Sequence, residues 1–179
     1  MKKYPLGTRQ RKERIDKTAD YMAKFLYYMT TNGYLAYIMR DTDFYHWTLG
    51  GKASYLDLFS DFPCLKIPDY LPEFYVIKLS YYSHEMLYVL TYYRNKPDFS
   101  ELVLHHFVTI ILVFFSYSTN CLRIGAVVLI LHGISDVWVA NLKVMIEISP
   151  RKYLIVAYFI MLSSFVYTRV IVFPFIVIR

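Results

Sequence analysis

The feature of this sequence that most restricts its fold is a set of long apolar runs. Residues 102–119, 124–140 and 153–178 are strongly apolar, and residues 21–39 and 74–93 form weaker runs interrupted by polar side chains. A helix needs about 20 apolar residues to cross the hydrocarbon core of a bilayer, which is about 30 Å thick. The sequence therefore predicts an all-α, polytopic transmembrane helix bundle with about five spans.

Composition narrows the classes of function. Hydrophobic residues make up 56% and aromatic residues 19% of the chain, which excludes intrinsic disorder. The two cysteines, Cys64 and Cys121, are too few for a disulfide framework or a cysteine-based zinc site. The sequence has no glycine-rich phosphate loop, which argues against a nucleotide-binding domain.

The charge pattern predicts a basic cytosolic arm, residues 1–19, followed by a membrane domain, residues 20–179. Lysine and arginine crowd the arm and recur at residues 94–96 and 143–152, whereas the segment 41–71 is mainly acidic. This alternation follows the positive-inside rule for a multi-pass protein with a cytosolic N-terminus. A basic N-terminus could also bind nucleic acid, but no aromatic-rich basic groove follows it, so we expect no nucleic-acid partner.

Polar and ionisable side chains lie inside the third and fourth runs, where they are costly and indicate a functional site. One helical face, about 60° wide, is shared by the polar residues of the third run: His105, Thr109, Ser116 and Asn120. On the fourth run, His132 and Asp136 are i, i+4 neighbours. The third and fourth runs are joined by a short turn near Asn120 and are expected to form an antiparallel hairpin. Residues equally far from the turn then lie at the same depth in the membrane, which places His105 level with Asp136.

Such a cluster is suited to acid–base or acyl-transfer chemistry. A carboxylate that accepts from an imidazole N–H fixes its tautomer, and the other ring nitrogen can remove a proton or attack an acyl carbon. The alternative is a structural role, because interhelical hydrogen bonds in membranes are worth ~0.6–2 kcal/mol each. A metal site is the competing chemistry, but adjacent His105 and His106 point about 100° apart on a helix, so we expect no bound metal.

The spacing of these polar residues resembles the Lag motif of ceramide synthases, within the TLC-domain family. The matching positions are His105, His106, Thr109, Ser116, Asn120, Arg123, Gly125, His132, Ser135, Asp136 and Lys143. The segment 167–175, which contains Arg169, is similar to the segment that follows the motif in that family. The likeness covers roughly residues 20 to 178.

The resemblance implies an acyltransferase of sphingolipid biosynthesis, which joins a fatty acyl-CoA to a sphingoid base in the endoplasmic reticulum membrane. Its catalytic positions would be His105, His106 and Asp136. The substrate-binding or supporting positions would be Thr109, Ser116, Asn120, Arg123, His132 and Ser135. The implied partners are membrane lipids, the sphingoid base and the fatty acyl-CoA. The fatty acyl-CoA is a co-substrate, and the resemblance implies no bound cofactor. The resemblance also allows a homodimer or a heterodimer.

Two departures favour an alternative, a non-catalytic TLC-domain protein that binds, senses or helps traffic lipids. Gly133 stands where the family has the first acidic residue of its motif. The family continues past the 167–175 segment into another membrane helix, so the resemblance implies a domain truncated at the C-terminus. We further expect Arg169 to pack against a carboxylate or backbone carbonyls, and Lys78 to extend to the membrane interface.

Overall fold

The structure is a computed structural model that describes residues 9–42, 67–95 and 97–174. The helices are α1 (Arg9–Met39), α2 (Leu71–Tyr92), α3 (Phe99–Ser118), α4 (Leu122–Ile148) and α5 (Arg151–Phe165), and α5 continues into a π-helical segment (Val166–Val172). Within the described ranges there is no β-strand. The predicted all-α class is confirmed.

Three helices of the described part are long and apolar enough to cross a membrane: Phe99–Ser118, Leu122–Ile148 and Lys152–Val172. They correspond to the three strong apolar runs of the sequence. The two weaker runs are also helical, with 31 residues in α1 and 22 in α2. Both contain charged side chains and do not reach the same apolarity, so their membrane crossing stays a prediction.

Two helices extend beyond the predicted segments. α1 begins at Arg9, inside the predicted arm, and α4 continues to Ile148 instead of ending at residue 140. Arg14 and Glu147, which lie in these extensions, form an ion pair with an N–O distance of 2.7 Å. This ion pair joins the two extensions beyond the apolar runs. The segments 1–8, 43–66 and 175–179 and residue 96 lie outside the described residues.

The described chain divides into two compact units. The first contains α1 as far as Ala36 and the chain from Val128 onward. In this unit Lys143 of α4 lies over the Tyr21 ring of α1, 5.9 Å from its centre, and the Arg14–Glu147 pair follows nearer the helix ends. Residue numbers rise along α1 as they fall along α4, so these two helices run antiparallel.

The second unit runs from Tyr37 to Val127 and contains α2, α3 and the first turns of α4. Within it α2 packs against α3. Lys78 of α2 is only 1% exposed, and its ammonium lies 5.7 Å from the Phe74 ring centre and 5.9 Å from that of Tyr82. The prediction that Lys78 extends to the interface is wrong, because its ammonium is buried and lies against two aromatic rings.

Candidate functional site

The polar cluster of the first unit is centred on Asp136 and Arg169. Arg169 Nη2 donates to Asp136 Oδ1 at 3.1 Å, and Arg169 Nε donates to Ser135 Oγ at 3.1 Å. The guanidinium also lies over the Phe165 ring, 5.0 Å from its centre. Two opposite charges inside apolar helices therefore offset each other. The predicted carboxylate partner of Arg169 is confirmed, and it is Asp136, one of the three predicted catalytic residues.

Arg169 lies within the π-helical segment Val166–Val172. π-Helical turns are rare and occur frequently at functional sites. The preceding residue, Thr168, is buried and its hydroxyl donates to the Ser164 carbonyl at 2.8 Å. This local hydrogen bond satisfies Thr168 within its own helix, and Arg169 connects the segment to α4 through Asp136 and Ser135.

Ser135 and His132 direct hydrogen bonds into the backbone of α4. Ser135 Oγ donates to the His132 carbonyl at 2.7 Å, and His132 Nδ1 lies 2.9 Å from the Val128 carbonyl oxygen. A carbonyl only accepts, so Nδ1 carries a proton in this contact. The ring packs edge-to-face on Phe173 at 5.5 Å. The hydrogen bond and the ring contact together fix the orientation of the His132 imidazole.

Gly133 lies between these residues and contacts α1. A Cβ atom built on Gly133 would overlap the carboxamide of Asn32. Asn32 is buried, 9% exposed, and its Nδ2 donates to the Tyr28 carbonyl at 2.7 Å. The sequence treats Asn32 only as a polar interruption of a weak apolar run, so its contact with Gly133 was missed. No sequence signal links the two positions, because the contact depends on how α1 and α4 are rotated.

The second unit contains the turn that joins α3 to α4. Asn120 has a φ of 57°, and α3 ends at Ser118, so Asn120 does not continue the helical face predicted for it. Asparagine tolerates this left-handed conformation better than most residues. The Cys121 N–H donates to the Ser116 carbonyl at 2.9 Å, and Ser116 Oγ donates to the Cys121 carbonyl at 3.0 Å. Ser116 therefore stabilises the turn.

Tyr75 of α2 ties this turn to its neighbour helix. Its hydroxyl donates to the Leu122 carbonyl at 3.0 Å and lies 3.2 Å from Ser116 Oγ. A Cβ built on Gly125 would overlap the hydroxyl oxygens of both Ser116 and Tyr75, so the position requires glycine. The adjacent Arg123 is 6% exposed. Sequence reasoning missed Tyr75.

His105, His106 and Thr109 lie on α3, in the second unit. The two imidazole rings pack edge-to-face with centres 5.4 Å apart. Thr109 Oγ1 donates to the His105 carbonyl at 2.8 Å, a bond within its own helix. The predicted common depth of His105 and Asp136 joins residues of different units and stays a prediction. Among the described residues, no three His, Cys, Asp or Glu side chains are placed to hold a metal ion.

An apolar groove runs along one side of the first unit. Its volume is about 610 Å³, within the range of small-molecule sites. The lining residues come from α4, α5 and the π-helical segment: Trp138, Val156, Phe159, Ile160, Ser163, Ser164 and Tyr167. Aromatic and aliphatic walls of this kind suit an aliphatic chain.

Comparison with known proteins identifies the family. Residues 17–179 match the family model described as TRAM_LAG1_CLN8, the TLC domain. Ceramide synthase hyl-1 of Caenorhabditis elegans is 30% identical over 167 residues, which is 93% of this chain and 43% of that protein. Ceramide synthase LOH2 of Arabidopsis thaliana is 28% identical over 169 residues, 93% of this chain and 54% of that protein.

A third relative, ceramide synthase 4 of Bos taurus, is 40% identical over 104 residues, or 58% of this chain and 26% of that protein. The chain thus spans between about a quarter and about half of the length of these curated relatives. The matched family model covers the whole membrane domain predicted from the sequence, residues 20–179. The chain belongs to the TLC-domain family.

Proposed function

We propose that this chain is a ceramide synthase-like N-acyltransferase, which joins a fatty acyl-CoA to a sphingoid base. The observation that carries the proposal is the polar cluster of His132, Ser135, Asp136 and Arg169 within apolar helices. Ionisable side chains inside membrane helices are energetically costly, so their presence indicates a functional role. The similarity to ceramide synthases over 93% of the chain supports the same reaction class.

The proposed reaction forms an amide bond and breaks a thioester bond. The sphingoid amine attacks the acyl carbon, either directly or after the acyl group has moved to an imidazole nitrogen. His105 or His106 takes the amine proton and passes it to the departing sulfur, so that the products are ceramide and the CoA thiol. Asp136 is the third catalytic residue of the proposal, and Arg169 holds the Asp136 carboxylate in one orientation.

Supporting roles follow from the local contacts. Ser116 and Asn120 shape the α3–α4 turn, and Arg123 follows this turn on α4. Thr109 lies one helical turn after His105 on α3. The His132 imidazole contacts a substrate hydroxyl or amine. The fatty acyl chain lies in the apolar groove between α4 and α5, whose volume is about 610 Å³.

The proposed location is the endoplasmic reticulum membrane, with the N-terminus in the cytosol. In the first unit, Arg14 of α1 and Lys143 of α4 lie at the same end of the antiparallel pair. Lys152, at the start of α5, follows α4 closely in the chain. A basic end of the bundle agrees with the positive-inside rule, and it offers cations for the phosphates of CoA.

The test is an acylation assay in microsomes from cells that lack their own ceramide synthases. Labelled sphinganine and a panel of acyl-CoAs are supplied to the wild-type chain, to a His105→Ala/His106→Ala variant, and to His84→Ala as a matched control. His84 is an exposed histidine of α2. We expect ceramide from the wild type and the control but not from the double variant. No ceramide from well-inserted wild-type protein would contradict the proposal.

Gly133 favours a second candidate, a TLC-domain protein that binds or senses lipid without acylating it. The glycine removes a carboxylate from the motif that the sequence resembles. This candidate predicts saturable binding of labelled sphinganine or acyl-CoA with no ceramide produced. The same microsomes distinguish the two functions.

A further inference from the structure

The orientation of the Asn32 carboxamide is fixed by its neighbour. Asn32 Nδ2 lies 2.7 Å from the Tyr28 carbonyl oxygen, which can only accept a hydrogen bond. The nitrogen must therefore face Tyr28, and the oxygen Oδ1 faces Gly133 of α4. Reversing the amide would place two oxygens against each other. The acceptor end of the Asn32 dipole is thus directed at the residue that follows His132.

Asn32 Oδ1 is buried and has no hydrogen-bond partner within the part of the chain that the structure describes. A buried acceptor left in this state costs about 1–3 kcal/mol in general, whereas a leucine of similar size would cost nothing. Gly133 lies within α4, which is long and apolar enough to cross a membrane. A polar side chain kept against such a helix indicates more than packing.

The Asn32 carboxamide and Gly133 are complementary in shape. The atoms that a Cβ on Gly133 would overlap are the side-chain oxygen, carbon and nitrogen at the end of Asn32. By contrast, a Cβ on Gly33, the next residue of α1, would meet nothing within 4 Å. The carboxamide therefore occupies, from α1, the space in which a side chain at position 133 would begin.

We propose that Asn32 is a positioning residue of the polar cluster on α4. Its carboxamide substitutes for a side chain at position 133, sets the spacing of α1 and α4, and directs a negative dipole end at the turn between His132 and Asp136. Its effect on turnover rests on the proposed acylation, whereas its contact with Gly133 does not.

The contact is tested by thermal unfolding of the purified full-length chain in detergent. Gly133→Ala is expected to lower the Tm by several degrees, and Gly33→Ala, the matched control, to leave it unchanged or raise it slightly. Asn32→Ala removes the atoms that the new Cβ would meet. The Tm of the Asn32→Ala/Gly133→Ala variant is therefore expected to be higher than the value obtained by adding the Tm shifts of the two single variants. Additive shifts would overturn the contact.

The positioning role is tested by moving the carboxamide from one helix to the other. Asn32→Leu keeps the branched skeleton of the side chain but removes the dipole, and it is expected to lower kcat about three- to tenfold with an unchanged KM for acyl-CoA. Asn32→Ala/Gly133→Asn returns a carboxamide to the same space from α4 and is expected to recover most of the kcat. A purely structural role would be satisfied by leucine, so Asn32→Leu would keep the wild-type kcat.

The outcomes separate the two proposals. If wild-type protein makes ceramide and Asn32→Leu is as active as wild type, the positioning role is overturned and the acylation stands. If wild-type protein makes no ceramide, the acylation and the role in turnover fall together. Thermal unfolding of the Asn32→Ala/Gly133→Ala variant then still decides whether Asn32 and Gly133 are in contact.

Discussion

Removing Arg169 provides a quantitative test of the polar cluster. Arg169→Met leaves a side chain of similar length without charge, and it deletes the hydrogen bonds to Asp136 and Ser135, both 3.1 Å long. A hydrogen bond to a charged group contributes about 1.5–3 kcal/mol, and leaving one charge of a buried pair alone costs about 3–5 kcal/mol. The side chains of Arg169 and Asp136 are 24% and 31% exposed, so the lower end applies. We expect a loss of about 2–3 kcal/mol.

The double variant Asp136→Asn/Arg169→Met distinguishes pairing from packing. Each single change leaves one charge without its partner, whereas the double change removes both charges together. Replacing a buried ion pair by neutral groups is often close to neutral in stability. The double variant should therefore lose no more free energy of unfolding than either single variant does. This result corresponds to a coupling free energy of about 2 kcal/mol between the two residues.

The assay is reversible unfolding of the purified chain in mixed micelles, followed by circular dichroism. A loss of about 2–3 kcal/mol corresponds to a Tm shift of roughly 4–12 °C for a chain of this size. Arg9→Met is the control, because Arg9 and Glu13 form an exposed pair with side chains 93% and 55% accessible, and no measurable change is expected. Additive losses in the double variant would refute the reasoning.

Three further changes test the packing around the cluster and the turn. Tyr75→Phe should destabilise the chain by about 1–2 kcal/mol, measured in the same assay, because it deletes a buried hydroxyl that donates to a backbone carbonyl. Gly125→Ala should lower the Tm while Gly33→Ala does not, because only the first Cβ meets neighbouring atoms; equal shifts would contradict this. Arg14→Met should cost about 0.5–1 kcal/mol at low salt and less at high salt, because its pair with Glu147 is part-exposed; a loss independent of salt would count against the ion pair.

Much of the fold follows from the sequence because membrane helices are specified locally. The strong apolar runs at 102–119, 124–140 and 153–178 each became a helix long enough to cross a bilayer. The helix ends were less predictable. The extensions of α1 and α4 are joined by the pair between Arg14 and Glu147, a contact between residues far apart in the chain. Hydropathy alone contains no information about such a pair.

The site was predictable where chemistry leaves few options. An arginine inside an apolar run needs a carboxylate or carbonyls, and Arg169 does pair with Asp136. Asn120 was placed on the α3 face from its spacing, although the helix ends two residues earlier and Asn120 turns with a positive φ. The contact between Asn32 and Gly133 was beyond sequence reasoning, because it depends on the relative rotation of two helices.

The central claim is that this TLC-domain chain acylates a sphingoid base. The most direct measurement incubates the purified full-length chain with sphinganine and a fatty acyl-CoA, and quantifies both the amide and the CoA thiol. The account predicts one thiol released per ceramide formed, with both products lost in the His105→Ala/His106→Ala variant. Thiol release without ceramide, or neither product from folded wild-type protein, would contradict it.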